Sequence, residues 1–311
     1  MGHKPLKNFR LSKADLKAII FLLITAAVTT YASPGGLDLT FGQGGRVFTN
    51  IGIFEPGNKP LYPLLFSTVV QTDGKILVGG GYWEDAISEY YGSFMVRYMP
   101  DGTPDSSFGN NGKVVFRTDY DFATDIVLQP DGKIVTIGST VRRYTSSGMV
   151  DTTFGNGGAA PMPTNEGHAI TLQPDGKIVG FGTTYGFTGP FRAVLFRLNG
   201  NGTPDTSFGP AGNGAVTING YTTESVEVFV KSDGKVLVVG GIRDKNGISG
   251  DVLLARYNSN GTLDQTFGTG GMVRHRVNDR GSYASGAALQ ADGKIVVTGQ
   301  TFFEKTDNTF F

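Results

Sequence analysis

The chain has 311 residues, with 47 glycines, 14 prolines, no cysteine and 27 acidic against 27 basic side chains. Balanced charge removes the electrostatic case for nucleic acid or an anionic membrane surface as partner, and the lack of cysteine excludes disulfide frameworks, thiolate catalysis and cysteine metal sites. So much glycine argues against a helical protein, where each interior Gly costs about 1 kcal/mol relative to Ala, and it suits tight turns between short strands in one large β domain or two smaller ones.

Lys4, Lys7, Arg10, Lys13 and Lys17 precede an apolar run from Ala18 to Val28, and the small residues Thr29, Thr30, Ala32 and Ser33 follow it. A basic stretch, an apolar core and a small-residue end describe a secretory signal peptide, cut after Ala32. The run is 11 residues long, short of the roughly 20 needed to span a bilayer. The alternative is an uncleaved N-terminal anchor. Either way the chain is expected to be exported, as residues 1–32 of signal and 33–311 of mature domain, with no transmembrane helix once the signal is removed. No cysteine stands near the cut to carry a lipid.

Beyond Pro34 the sequence repeats. One signature recurs five times, as Asp38-Leu39-Thr40-Phe41-Gly42, Asp105-Ser106-Ser107-Phe108-Gly109, Asp151-Thr152-Thr153-Phe154-Gly155, Asp205-Thr206-Ser207-Phe208-Gly209 and Asp264-Gln265-Thr266-Phe267-Gly268. A second alternates with it: Asp73-Gly74-Lys75, Asp131-Gly132-Lys133, Asp175-Gly176-Lys177, Asp233-Gly234-Lys235 and Asp292-Gly293-Lys294. The latter aspartates lie 58, 44, 58 and 59 residues apart, so the chain is five tandem copies of a unit of roughly 55 residues.

Each unit reads as four strands, a to d from the centre outward. In the second, Ala123–Gln129 runs into the Asp131-Gly132 turn and returns as Lys133–Gly138; Asp-Gly between β-branched runs marks a hairpin, because Gly takes the positive φ of the turn. A third strand ends in Arg-Tyr (Arg97-Tyr98, Arg143-Tyr144, Arg256-Tyr257, with Arg197-Leu198 as the variant), and a fourth follows the Asp…Phe-Gly turn, as in Lys113–Phe116. In that turn the Asp carboxylate caps one turn of chain, the Gly ends it, and the Phe is expected as a plug between units. Four antiparallel strands per unit and no helical period predict an all-β propeller of five blades, each burying its faces against its neighbours. The lone d strand Arg46–Asn50 is expected to complete the last blade and clasp the ring. The last c strand stops before its Arg-Tyr, which equally fits a piece of a longer propeller.

These residues resemble the delta-60 repeat family of bacterial β-propellers. Leu263-Asp264-Gln265-Thr266-Phe267-Gly268-Thr269-Gly270-Gly271, Gln290-Ala291-Asp292-Gly293-Lys294-Ile295 and Ala255-Arg256-Tyr257-Asn258 carry its pattern, while Lys231 and Leu198 depart from it. The resemblance spans Gly36 to Phe311. It implies exported proteins of Gram-negative bacteria, often large and multi-module, and no defined catalytic residues.

No catalytic, cofactor or metal site is expected. The Asp-Gly-Lys turns are read as turns, against a ring of cation-binding carboxylates, because calcium wants six to eight oxygens in one loop. The Arg of Arg-Tyr is read as the partner of a repeated Asp at the blade junction. His168 and His275 fall in different units and make no zinc set. The residues that do not repeat lie in the b–c and d–a loops, on the face opposite the repeated turns. Tyr82, Trp83, Glu84 and Tyr90 in one loop, with Tyr185, Phe187, Tyr221 and Tyr283 in comparable ones, could stack on a sugar or anchor a peptide, or simply pack the loops. The leading reading is a non-enzymatic module binding a glycan or protein through that face. The alternatives are a passive spacer of a larger surface protein, and a polysaccharide lyase or hydrolase using Asp125 and Glu227, which share a position in their a strands.

Overall fold

The computed structural model describes residues 35–51, 62–83, 91–117, 122–184, 192–218, 222–243, 250–277, 281–302 and 308–310, with backbone alone at several strand ends. The signal peptide read at residues 1–32 lies outside them. The described residues form five antiparallel sheets. The first holds β1 (Tyr62–Val70), β2 (Ile76–Trp83), β3 (Tyr91–Tyr98) and β4 (Lys113–Arg117), paired in that order. The second holds β5 (Asp125–Leu128), β6 (Ile134–Ile137), β7 (Val141–Tyr144) and β8 (Ala159–Ala160). The third is β9 (Glu166–Leu172), β10 (Ile178–Thr184), β11 (Arg192–Leu198) and β12 (Ala215–Ile218), and the fourth is β13 (Thr222–Val230), β14 (Val236–Arg243), β15 (Gly250–Tyr257) and β16 (Met272–His275). The fifth has three strands, β17 (Ser282–Leu289), β18 (Ile295–Phe302) and β19 (Asn308–Phe310). This is the all-β propeller of four-stranded blades that the repeat predicts.

The first strand of each blade packs beside the first strand of the next: β1 on β5, β5 on β9, β9 on β13, and β13 on β17. The blades stack through the apolar residues that alternate along each strand. Leu77 and Met95 of blade 1 meet Ile126, Ile134 and Tyr144 of blade 2, and Val135 and Phe154 of blade 2 meet Ile170, Ile178 and Leu198 of blade 3. Blade 3 repeats the pattern on blade 4 with Val179 and Phe208 against Val228, Val236 and Tyr257. The core is thus a series of similar seams rather than one central mass, because no single blade can bury its own faces.

Local chemistry sets the turns. In the Asp-Gly-Lys hairpins the glycine takes φ near +80° (Gly74 +80°, Gly132 +82°, Gly176 +83°), and the glutamine two residues before the Asp, or Lys231 in its place, accepts the glycine N–H and donates to the lysine carbonyl. In the second turn the aspartate Oδ1 accepts both the N–H and the hydroxyl of the residue two on, as Asp205 does from Ser207 at 3.1 and 2.7 Å. Phe108, Phe154 and Phe208 are fully buried, as the plug reading expects; Phe41 and Phe267, at the two ends of the array, are half-buried.

One expectation is corrected. Among the described residues, 46–50 form no ladder with the fifth blade. Their turn instead docks on blade 1, where the Gly42 N–H donates to the Asp101 carbonyl at 2.7 Å, just as Gly109 donates to Ser147 and Gly155 to Asn201 of the blade that follows each.

Candidate functional site

Adjacent strands are antiparallel, so the Asp-Gly-Lys and Asp…Phe-Gly turns of a blade lie side by side on one face. In blades 1 to 4 the aspartate of the second turn is consumed there. Asp205 receives Arg197 Nε at 2.7 Å and Lys177 Nζ at 2.9 Å on Oδ2. Asp105 receives Arg97 and Lys75, Asp151 receives Arg143 and Lys133, and Asp264 receives Arg256 and Lys235. Each guanidinium lies 4.5 or 4.6 Å from the ring of its turn phenylalanine. Nη1 of Arg97, Arg143 and Arg197 then reaches forward to a carbonyl of the following blade, at Ser146, Gly200 and Ser259.

The electrostatic result is uniform. Burial pushes the Asp105 and Asp205 carboxyls up, but hydrogen bonds from Ser107 or Ser207 and the paired cations outweigh it, leaving both well below the ordinary carboxylate range. Asp151 is lowered to about 2, chiefly by the Thr153 hydroxyl. Asp264 is held below the usual range first by Lys235, then by Thr266. These are permanent anions locked in ion pairs, with no proton to exchange near neutral pH. The turn face is a joint.

The carboxylates considered for chemistry sit on the inner strands. Asp125 pairs with Ile137 across its hairpin and Glu227 with Val239, each six residues past the turn aspartate, so the two do share one position. Asp125 is fully engaged: Oδ1 accepts Ser67 Oγ at 2.7 Å and the Ile126 N–H at 2.9 Å, and Oδ2 accepts the Ile170 N–H at 3.0 Å. It ties β1 of the preceding blade to β9 of the following one, and the whole of β9 separates it from Glu227. Among the described residues no three His, Asp or Glu side chains gather as a metal site would require.

The opposite face carries the b–c and d–a connections. Its aromatic candidates divide. Tyr82 is corrected from loop to core: it lies within β2, is 1% exposed, packs with Phe94 and Val96, and donates its hydroxyl to the Phe116 carbonyl at 3.2 Å. The strand runs longer than the loop reading allowed, and alternation turns Tyr82 inward. Trp83 is the last residue of β2 and Tyr283 the second of β17, both with backbone alone described. Glu84, Tyr90, Tyr185, Phe187 and Tyr221 lie outside the described residues.

The face is stepped. The second strand ends at Trp83 in blade 1, ten residues past Asp73, and at Arg243 in blade 4, ten past Asp233. In blade 2 it ends at Ile137, six past Asp131, and Gly138–Thr140 turns it straight back. The blade 2 hairpin is thus four residues shorter per strand than those of blades 1 and 4, about 13 Å at roughly 3.3 Å per residue. Ser139 and Thr140 lie at its tip, and the Thr124 hydroxyl bridges the Ile137 and Gly167 carbonyls at 2.8 Å each. The second strands of the flanking blades run further, to Trp83 in blade 1 and Thr184 in blade 3. The 44-residue spacing was the sequence signal for this step.

The chain matches a family profile described as a beta-propeller domain of unknown function (DUF5122) over residues 71–108, 129–154, 173–208 and 231–267. Each matched stretch runs from an Asp-Gly-Lys hairpin to the Asp…Phe turn of the same blade, so the chain is a β-propeller of repeated units. No curated protein sequence matches it. Among solved structures it is similar to a protein of unknown function from Dyadobacter fermentans, at 12% identity and TM-score 0.46 over 78% of this chain and 76% of that one. It is similar also to a glucose dehydrogenase, at 12% and 0.45 over 76% and 77%. An endo-arabinase from Bacteroides thetaiotaomicron aligns at 12% and 0.41 over 80% and 92%. Likeness at this level bears on neither activity nor ligand.

Proposed function

We propose that the chain is an exported, non-enzymatic binding module that holds a glycan or protein partner through the variable-loop face, beside the short hairpin of blade 2. The observation that carries this reading is the division of labour between the two faces. In blades 1 to 4 the turn arginine, the second-turn aspartate and the hairpin lysine are locked in a joint, whereas the opposite face is broken by one short hairpin between two long ones. Hydroxyls at the short hairpin, with the chain's only tryptophan at the end of β2 in the neighbouring blade, suit stacking of a sugar ring or capture of a peptide side chain. Export rests on the basic, apolar and small-residue order of residues 1–33.

The test is a glycan array and a candidate-protein binding screen, followed by titration of any hit against Trp83→Ala and Tyr90→Ala. Both substitutions are expected to weaken binding at least tenfold with an unchanged melting temperature. A ligand that ignored both, or steady turnover of a polysaccharide, would defeat the proposal. Export is checked separately, by mass spectrometry of the secreted protein for a mature N-terminus at Ser33.

A further inference from the structure

In blades 1, 2 and 4 the arginine of the joint is followed by a tyrosine, Tyr98, Tyr144 and Tyr257; in blade 3 Leu198 stands there. Two of the tyrosines show what the ring does. Tyr144 is buried and clusters with Val114 and Phe116 of the outer strand of blade 1, its ring centre 5.0 Å from that of Phe116. Tyr257 is likewise buried, in one cluster with Val216 and Ile218 of the outer strand of blade 3. The ring thus fills the rim of a seam, between the outer strand of one blade and the third strand of the next.

At the seam between blades 2 and 3 both sides of that contact are cut back. Leu198 lacks the phenol. Facing it, Ala160 holds the place of Val114, Val216 and Val273, since each of the four pairs with the residue two before a joint arginine. The outer strand of blade 2 ends at Ala160, and Pro161-Met162-Pro163 follows. What is left is a cavity of about 220 Å³, lined by Pro161, Met162, Pro163, Leu198, Pro204 and Asn213. Leu198 is buried at its base, whereas the three prolines and Asn213 are exposed at its edge. Phe196, just before the joint arginine, is larger than Val96 or Ala255 at the same position. Its ring runs back over Gly180 of the neighbouring strand, where an added Cβ would stand 2.3 Å from Cζ, and so leaves the rim open. A space left by smaller side chains shrinks as far as its walls can relax. Three of these walls are prolines, whose φ the ring fixes, and Leu198 is bridged to Pro204 across the turn.

We infer that this cavity is a binding site for a phenol ring, the group that the unit places at the same point in other blades. Its size agrees, since an apolar cavity of about 150 Å³ takes up benzene. Its chemistry agrees too. The lining side chains are apolar apart from Asn213, whose Oδ1 accepts the Ala215 N–H at 3.2 Å, which leaves Nδ2 to donate to the hydroxyl of the bound ring. The departures lie on two different blades and both remove volume at one place, so neither compensates the other. The site belongs to a blade seam and stands independently of any partner held by the variable-loop face.

The probe is p-cresol, the tyrosine side chain without its backbone. An NMR titration of the folded full chain is expected to show p-cresol bound at one site. Leu198→Tyr, which restores the residue of the other blades, is expected to weaken that binding at least tenfold and to raise the melting temperature by several degrees. Ala160→Val, which narrows the cavity from the other blade, is expected to weaken binding likewise. No binding to the folded parent, or binding that either variant leaves unchanged, would overturn the site. A capped tyrosine, N-acetyltyrosine amide, separates two sources of the ring. Binding as tight as that of p-cresol assigns the site to a tyrosine side chain of a partner protein, and binding of p-cresol alone assigns it to a free phenol.

Discussion

Arg197→Ala tests the claim that the turn face is a joint. The side chain is 6% exposed and makes four contacts: Nε to Asp205 at 2.7 Å, Nη1 to the Ser259 carbonyl of blade 4, Nη2 to Ser207 at 3.2 Å, and its face on Phe208 at 4.5 Å. Removing one partner of a buried pair costs about 3–5 kcal/mol, because the other charge stays buried. Here Lys177, 30% exposed, remains on Asp205 and offsets part of that loss, so about 3 kcal/mol is expected. Arg256 is the internal control. It makes the same bonds to Asp264 and Thr266, but its side chain is 19% exposed and, among the described residues, it reaches no carbonyl ahead. Arg256→Ala should therefore cost roughly half as much, about 1.5 kcal/mol, since solvent screens what remains. Equilibrium urea unfolding of the two variants beside the parent reads both numbers. Equal losses, or an Arg197→Ala loss below about 1 kcal/mol, would refute the view that the forward bond and its burial hold the blades together.

Three further perturbations follow from the same geometry. Gly155→Ala should cost about 2 kcal/mol or more in urea unfolding, because Gly155 has φ +54° and an added Cβ would stand 2.1 Å from the Ala159 carbonyl oxygen; a neutral result would mean that the turn can relax. Asp125→Ala should lose about 1–3 kcal/mol, by stranding the Ser67 hydroxyl and the Ile170 N–H, while any binding or turnover stays as in the parent; abolished turnover in a folded variant would revive the catalytic reading of this carboxylate. Acid dependence has a definite sign. The turn aspartates are lowered in the fold, to about 2 for Asp151 and further for Asp105 and Asp205, against about 3.9 when unfolded. The unfolded chain therefore binds protons first as pH falls, and the stability these groups contribute is full above about pH 4 and drains between there and about pH 2. Urea midpoints should fall progressively from pH 4 to pH 3 without levelling off, and a midpoint that rose on acidification would contradict the assigned pairing.

The propeller was legible because its punctuation is local. Asp-Gly before a β-branched run and Asp-x-x-Phe-Gly after Arg-Tyr each encode a turn through their own backbone needs, and Gly132 and Gly155 adopt the positive φ that the motifs ask for. The Arg–Asp joint was legible too, from opposite charges repeating in step. The lysine of the hairpin was read as part of a turn alone. Its bond to the aspartate of the second turn, as from Lys75 to Asp105 at 3.1 Å, depends on two connections lying side by side, which antiparallel pairing creates and no single motif states. Tyr82 was misplaced for a related reason. Strand length is set by what the neighbouring strand pairs with, and β3 extends to Tyr91, so β2 carries on to Trp83. Asp125 shows the limit most plainly. Its position was correct, but its three hydrogen-bond partners come from two other blades and its own backbone, a meeting that only the closed packing of inner strands produces.

The forward reach of the turn arginines has a consequence for how such a molecule can arise. Because each of the first three blades supplies the clamp for its successor, which presents the gripped carbonyl, that joint is complete within an adjacent pair and refers to no third unit. A duplication or deletion of one whole unit leaves every remaining joint chemically intact. Copy number can therefore change in whole steps without new joint chemistry, and a hairpin can be shortened in one copy, as in the second blade, while the turn-face joints stay the same.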